Sequence, residues 1–377
     1  MDTTNAMAIT RVTAWAQHLP YVEGPYRMSG GRVTTGMDSL IVRLTTRDGS
    51  IGIGEAGTIG PTYDPAFAAG QVAALPLLAP AVLGLDPRGP QAISRAMNGA
   101  LAGHPYTKAA IDMAAWDLAA RAAGVPLWKL LGAPAAEPTP LYRPVQGATP
   151  SESAAIAQER LGQGYPRLQV KVGDDPLVDA ARVLAVRETV GAAIPIYADA
   201  NTGFSLGAAR AFVRALGAGG AGVVLEQPCA TIDDCIALRG AWSGPMVLDE
   251  NTVSLAALLS AHRAGAVDGI TIKLSRVGGV TPARLIRDVA VELGIAVTIE
   301  DAAGSDLVTM AFAHLNGSTP AKYRAHSVDF GNWTTVSTVD GPVSRDGGAL
   351  VPPADLPGLG LTLAEDRLGT PIFAVTA

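Results

Sequence analysis

Five charged residues set the chemical problem this sequence poses. Lys171, Asp199, Glu226, Asp249 and Lys273 recur at intervals of 23 to 28 residues, each at or just beyond the end of a short apolar run. The runs read RLQVKVG, IYADAN, GVVLEQP, MVLDEN and GITIKLS, and AVTIED continues the series with Glu300 and Asp301. If all of these meet in one cavity, three carboxylates stand between two lysines. Carboxylates gathered in one place repel each other unless a cation sits among them. All-oxygen ligation favours a hard ion, and Mg2+ needs few protein carboxylates while keeping positions open for substrate. A lysine on either side then has acid/base work within reach, and positive charge from the metal and the other lysine lowers its pKa towards that of a working base. For a single acid, a helix N-cap at a strand–helix junction is the competing reading. Salt bridges to the carboxylates are the competing reading for the lysines. Asn201 and Glu250, beside proposed ligands, are read as support for them. Glu300 and Asp301 fit a capping role and a catalytic one equally.

Such convergence requires a scaffold that brings strand ends together. Ala-, Leu- and Arg-rich segments of helical pattern lie between the apolar runs. Strand and helix alternating at this period predict a (β/α)8 barrel, whose active site forms at the C-terminal ends of its strands. The barrel starts near residue 141 with PLYRPV, and an eighth unit is expected around residues 322–330. Upstream, ITRVTAWAQHL, SLIVRLTTRDG and IGIGEAG alternate as strands, with DGS as a hairpin turn. Between the first two lies the Gly-rich GPYRMSGGRV, read as a mobile lid carrying Tyr26 and Arg27. Tyr63 is a further candidate to touch substrate. Helices follow over residues 64–130. The clearest is TKAAIDMAAWDLAARAAG, with Ile111, Ala115, Leu118 and Ala122 on one face and Gly124 as its stop. The organisation read from this is an N-terminal α+β capping domain (1–134), a modified TIM-like barrel (135–335) and a Pro/Gly-rich segment (336–377) returning to the cap. His104 and His314 read as packed or surface residues, Trp116 and Trp128 as core, and RVGGVTP (276–282) as a tight turn rather than an anion site.

Composition narrows the classes. The 377 residues are 48% hydrophobic and 16% charged, enough to bury a large core. Net charge is −6 with no basic block, which argues against nucleic acid or an anionic membrane as partner. Apolar runs are short and broken by proline, and MDTTNAMAIT lacks the pattern of a secretory leader, so a cytoplasmic protein is expected. Cys229 and Cys235 are read as reduced thiols. Metal-dependent hydrolysis would favour histidine ligands, and no histidine ends a strand in the core stretch.

At these residues the sequence resembles the enolase superfamily, in its muconate-lactonizing-enzyme subgroup. The resemblance rests on KVG at 171, ADANTG at 198, EQPC at 226, LDEN at 248, IKLSRVGG at 272 and IEDAAGSD at 299. It implies that Lys171 and Lys273 are acid/base catalysts and that Asp199, Glu226 and Asp249 bind Mg2+. It further implies a small carboxylate substrate, a homo-oligomer, and a cap whose loops close over the barrel. Gln169 stands where the subgroup usually has the first lysine of a Lys-x-Lys pair. Within the subgroup, EGPYRMSGGR, GHPYTKAAIDMAAWD, LQVKVGDDP and EQPCATIDDC are similar to the cis-3-hydroxy-L-proline dehydratases. GPTY (60–63) and LPGLGLTL resemble the proline-betaine and hydroxyproline-betaine epimerases. Dehydration of cis-3-hydroxy-L-proline is therefore the expected reaction, with epimerisation as the alternative. Both groups usually carry a tryptophan where this chain has Ala303, which implies a wider pocket floor.

Overall fold

The computed structural model describes residues 5–377; the first four residues, which open the segment read above for a leader, lie outside them. Three long strands form the first layer: β1 (Ile9–Pro20), β2 (Gly36–Thr46) and β3 (Ile51–Thr58). They pair antiparallel in that order, with Trp15 opposite Ile41 and Ile41 opposite Glu55. The β2–β3 turn is the expected one at Asp48-Gly49-Ser50, where Gly49 takes φ 86°, Thr46 N donates to Ser50 O and Thr46 O accepts from Gly49 N. The segment between β1 and β2 is an ordered hairpin, Tyr26–Arg27 against Val33–Thr34. On the outer edge of β1 lies the chain's last strand, Phe373–Thr376.

Against this sheet pack α1 (Ala68–Val82), α2 (Pro90–Ala100) and α3 (Pro105–Ala122). The α3 sequence promised one apolar face, but the helix is buried at every position from Tyr106 to Ala120. It lies between the sheet on one side and the barrel on the other, so no face meets water. Its two buried acids are therefore bonded to backbone: Asp112 accepts from Thr281 N, and Asp117 accepts from Ile53 N and Leu359 N. Glycines on β3 permit this approach. A Cβ at Gly52 would sit 2.3 Å from Ala114 O, and one at Gly54 would sit 2.2 Å from Ala110 O. Gly54→Ala is expected to lower stability by roughly 1–3 kcal/mol through forced separation of α3 from the sheet. Urea unfolding measures this, and an unchanged midpoint would mean that the helix has room to move.

The second body is a curled sheet of seven parallel strands: β4 (Tyr142–Val145), β5 (Arg167–Lys171), β6 (Ile196–Asp199), β7 (Val223–Glu226), β8 (Met246–Leu248), β9 (Gly269–Lys273) and β10 (Ala296–Glu300). Their order in the sheet is their order in the chain. The eighth position is taken by residues 324–327, which bridge Val297 of β10 at Arg324 and Leu141 next to β4 at Ser327. The strands alternate with helices including α4 (Pro150–Gly162), α5 (Pro176–Val190), α6 (Leu206–Leu216), α7 (Ile232–Leu238), α8 (Leu255–Arg263), α9 (Val280–Glu292) and α10 (Asp306–Gly317). Glu55 of β3 joins the two bodies. Its carboxylate is fully buried and accepts from Ser305 N, Ser305 Oγ and Val308 N at the start of α10, where the helix dipole favours negative charge. No helix among the described residues is long and apolar enough to cross a membrane.

Candidate active site

Strand periodicity accounts for how the charged residues converge. Along β5, Gln169 and Lys171 share one face, while Leu168 and Val170 take the other. The parallel register then aligns strand ends: Lys171 pairs with Asp199, Asp199 with Glu226, and Lys273 with Glu300. Lys171, Asp199, Asp249, Lys273, Glu300, Asn201 and Gln169 line one cavity together with Tyr63. Glu226 does not line it, but accepts from Gln169, which does.

The helix-cap reading of the acids does not hold. The helices after β6, β7 and β8 are capped by Ser205, Thr231 and Ser254, which accept from backbone N–H groups in the first turn. Asp199, Glu226 and Asp249 are thus free to point inwards, and all three are at least 98% buried. Each is engaged by a donor. Lys171 Nζ lies 2.6 Å from Asp199 Oδ2. Gln169 Nε2 and Thr271 Oγ1 donate to the two oxygens of Glu226, at 2.9 and 3.0 Å. Asp249 receives Arg276 Nη1 on Oδ1 at 2.6 Å, and Lys273 Nζ lies 3.1 Å from Oδ2.

The electrostatics follow from burial and crowding. Burial raises the Glu226 pKa well above the carboxylate range, and Asp199, Asp249 and Glu300 raise it further. Asp249 would rise through burial too, but Arg276 and Lys273 hold it below its ordinary value. Burial works against the charge of each lysine, but its neighbours together outweigh it, Asp199 foremost for Lys171 and Asp249 for Lys273, so both are held above their ordinary value. In this arrangement acids outnumber the bases around them. Burial pushes both Glu250 and Glu300 up to about 7.

A cation among the acids fits this donor set. As the side chains stand, no group of three acidic, imidazole or thiol side chains among the described residues is placed to hold a metal ion, because lysine, arginine and amide groups occupy the carboxylates. Yet Glu250 Oε2, Glu300 Oε2 and Gln169 Oε1 are buried and accept no hydrogen bond. A site with surplus buried acceptors and mutually repelling carboxylates is short of positive charge, and its ligands are all oxygen, as a hard divalent ion requires.

Other candidates are sorted by what they touch. Tyr63 OH receives Lys273 Nζ at 3.1 Å and lies 3.3 Å from Asp249 Oδ2. Asn201 accepts from Lys171 at 3.2 Å and donates to Glu250 at 3.0 Å. Asn201 adopts φ 41° and Gln227 φ 33°, an unusual conformation for side-chain-bearing residues, held here by the bonds Gln227 makes to Asp249 N and Asn251 N. Glu300 Oε1 lies 3.5 Å from Lys273. Asp301 borders the cavity, but its carboxylate is spent on Ser275 N, Ser275 Oγ and Ala302 N, so it shapes the turn after β9. Arg27 is exposed and does not line the cavity. Ala303 is fully buried, its carbonyl carbon 2.5 Å from where a Cβ on Gly57 would stand; Ala302 lines the cavity at this point, so Ala303 does not set its floor. Cys229 and Cys235 are free and buried. His314 is packed, accepting from Trp128 N, and His104 is an exposed residue preceding α3.

Sequence reasoning passed over Arg276. It lies three residues beyond Lys273, on a short helical turn that places both on one side, and that spacing was its only signal. The aromatic wall of Tyr21, Tyr142, Phe330 and Trp333 was also missed. These residues come from distant stretches and carry no common motif.

Residues 10–132 match the family model described as mandelate racemase / muconate lactonizing enzyme, N-terminal domain, and residues 152–367 match the model described as enolase C-terminal domain-like. The chain is 38% identical to cis-3-hydroxy-L-proline dehydratase of Roseibium aggregatum, over 97% of this chain and 99% of that one. It is 30% identical to L-Ala-D/L-Glu epimerase of Bacillus subtilis, over 86% and 89% of the two chains. A mandelate racemase/muconate lactonizing enzyme from Roseovarius nubinhibens, solved as a complex with magnesium, superposes with a TM-score of 0.93 at 36% identity, over 98% of this chain and 100% of that one.

Proposed function

We propose that this chain, which belongs to the mandelate racemase / muconate lactonizing enzyme family of the enolase superfamily, removes the α-proton of a proline-type carboxylate and dehydrates cis-3-hydroxy-L-proline. The observation that carries this reading is the pair Lys171 and Lys273, brought to one cavity from β5 and β9 with three acid-bearing strands between them. Asp199, Glu226 and Asp249 would hold Mg2+. Bound there, the ion supplies positive charge that lowers the cost of a carbanion beside the substrate carboxylate and draws the acids away from the lysines.

The lysines do the proton work. In cis-3-hydroxyproline the hydroxyl and the carboxylate share a ring face, so the α-hydrogen and the hydroxyl lie on opposite faces. Lys171 takes the α-proton from one side. The C3–O bond breaks, and Lys273 gives its proton to the departing oxygen from the other side, releasing water. Tyr63, bonded to Lys273, orients that ammonium, and Asn201, which accepts from Lys171, orients the amine that takes the proton.

Epimerisation is the second reading, favoured by the same two-sided placement. With no leaving group, the opposite lysine returns a proton to the other face. The similarity to an L-Ala-D/L-Glu epimerase accords with this outcome. A panel of L- and D-proline derivatives in D2O with Mg2+, followed by NMR, tests both. Deuterium at Cα together with loss of water from the cis-3-hydroxy compound is expected. Exchange with configuration inverted and no elimination would select the epimerase, and no exchange in any member would overturn the substrate class.

A further inference from the structure

The roof over the cavity carries one ion-paired carboxylate, and that carboxylate is half-exposed. Residues 21–35 cross above the site, and Tyr26 forms part of its wall. Where this segment begins, Val22 N donates to Trp333 O at 2.8 Å. At its tip, Gly30 N donates to Asp174 Oδ1 at 3.1 Å, and Gln146 Nε2 donates to Arg27 O at 2.9 Å. These are neutral donors or single bonds. Glu23 is different: its carboxylate spans Arg143 of β4, at 2.8 Å, and Arg160 of α4, at 3.0 Å.

The partners are unequal in a way that sets direction. Arg143 and Arg160 have side chains only 7% and 13% exposed, whereas that of Glu23 is 53% exposed. Arg143 is further fixed by stacking over Trp333, 4.6 Å from the ring centroid. The arginines therefore stay in the barrel wall, and Glu23 can leave into water with its loop. A second cavity lies there, lined by Glu23, Arg143, Arg160 and Gly24, and it shares Tyr21, Tyr26 and Trp333 with the catalytic cavity. Moving Glu23 off the arginines would part Tyr26 from Trp333, whose rings are 5.3 Å apart, and join the two cavities.

We propose that Glu23 is the clasp of this roof, a positioning residue whose ion pairs with Arg143 and Arg160 set the fraction of molecules closed over the site. The kinetic part of the inference rests on the proposed carboxylate chemistry; the conformational part does not. A partly exposed pair of charge-assisted contacts makes the closed state about three- to tenfold more populated. Salt weakens it by screening.

The test compares parent, Glu23→Gln and Glu23→Asp, all with Mg2+. Without substrate, amide exchange over residues 24–35 is expected to be three- to tenfold faster in Glu23→Gln, with β4 and α4 unchanged and most protection regained in Glu23→Asp. With a turned-over proline derivative, KM should rise by the same factor while kcat holds or increases, and the parent's KM should climb with ionic strength while the variant's stays flat. Equal protection in parent and Glu23→Gln overturns the clasp. So does protection lost across β4 and α4 as well, which would make Glu23 a prop of the barrel wall. If no proline derivative turns over, the exchange measurement still decides the clasp, and only the substrate reading falls.

Discussion

Asparagine in place of Asp249 is expected to remove magnesium binding and turnover together. Asp249 is the most contested acid of the site, with Arg276 on one oxygen and Lys273 and Tyr63 near the other. Asparagine keeps the volume and one carbonyl oxygen but removes the charge. A hard cation depends on the count of charged ligands, so affinity should fall by more than about a hundredfold. If the ion supplies about 4 kcal/mol of charge stabilisation, its loss costs about a thousandfold in kcat/KM. Binding can be read without activity. At a hundred times its Kd, Mg2+ should stabilise the parent by about 2.7 kcal/mol, and the variant should gain nothing. Leaving Arg276 buried beside a neutral amide costs stability, roughly 3–5 kcal/mol where a buried pair is broken, so circular dichroism must show the variant folded at the assay temperature. An Asp249→Asn protein that still rises in Tm with Mg2+, or a parent fully active in excess chelator, would remove this acid from the metal site.

The lysines should separate by what each leaves behind. Lys171→Ala is expected to abolish both deuterium uptake at Cα and water release from cis-3-hydroxy-L-proline. Lys273→Ala should keep α-exchange of the L-configured compound, because abstraction and return on one face need only Lys171. It should fail to release water, since no acid then meets the hydroxyl. General acid or base groups of this kind contribute about 10²- to 10⁴-fold, so the losses lie well outside assay error. An epimerase gives another pattern: either variant stops interconversion while each retains exchange of one enantiomer. Dehydration at the parental rate by Lys273→Ala would leave Lys273 as no more than a charge beside the reacting carbon. Deuterium uptake and product, measured on the same samples, distinguish these patterns.

How far sequence reading could go is clearest at single residues. Lys171, Asp199, Glu226 and Lys273 end strands whose period of two puts them on the inner face, and parallel strands of a barrel share one open end. Type and spacing alone were enough to bring them together. The same logic made the acid at 301 look equivalent to the one at 300. Only the turn geometry after β10 spends Asp301 on Ser275 and leaves Glu300 beside Lys273. Likewise α3 read as one-sided, because its own pattern could not reveal that the barrel would cover its outer face.

The sequence by itself therefore determined the fold class and the convergence of these charged residues, because both follow from local periodicity repeated many times along the chain. The tertiary structure decided the partner of each carboxylate and the walls of the cavity. Asp199 beside Lys171 and Asp249 beside Lys273 help hold both lysines above their ordinary pKa against burial, an outcome that depends on distance and burial rather than residue type. Arg276 became visible only when its guanidinium was found on Asp249, and Trp333 only when the loop of residues 21–35 was found resting on it. Contacts between segments hundreds of residues apart leave no period for a sequence to display, and it is those contacts that close this site.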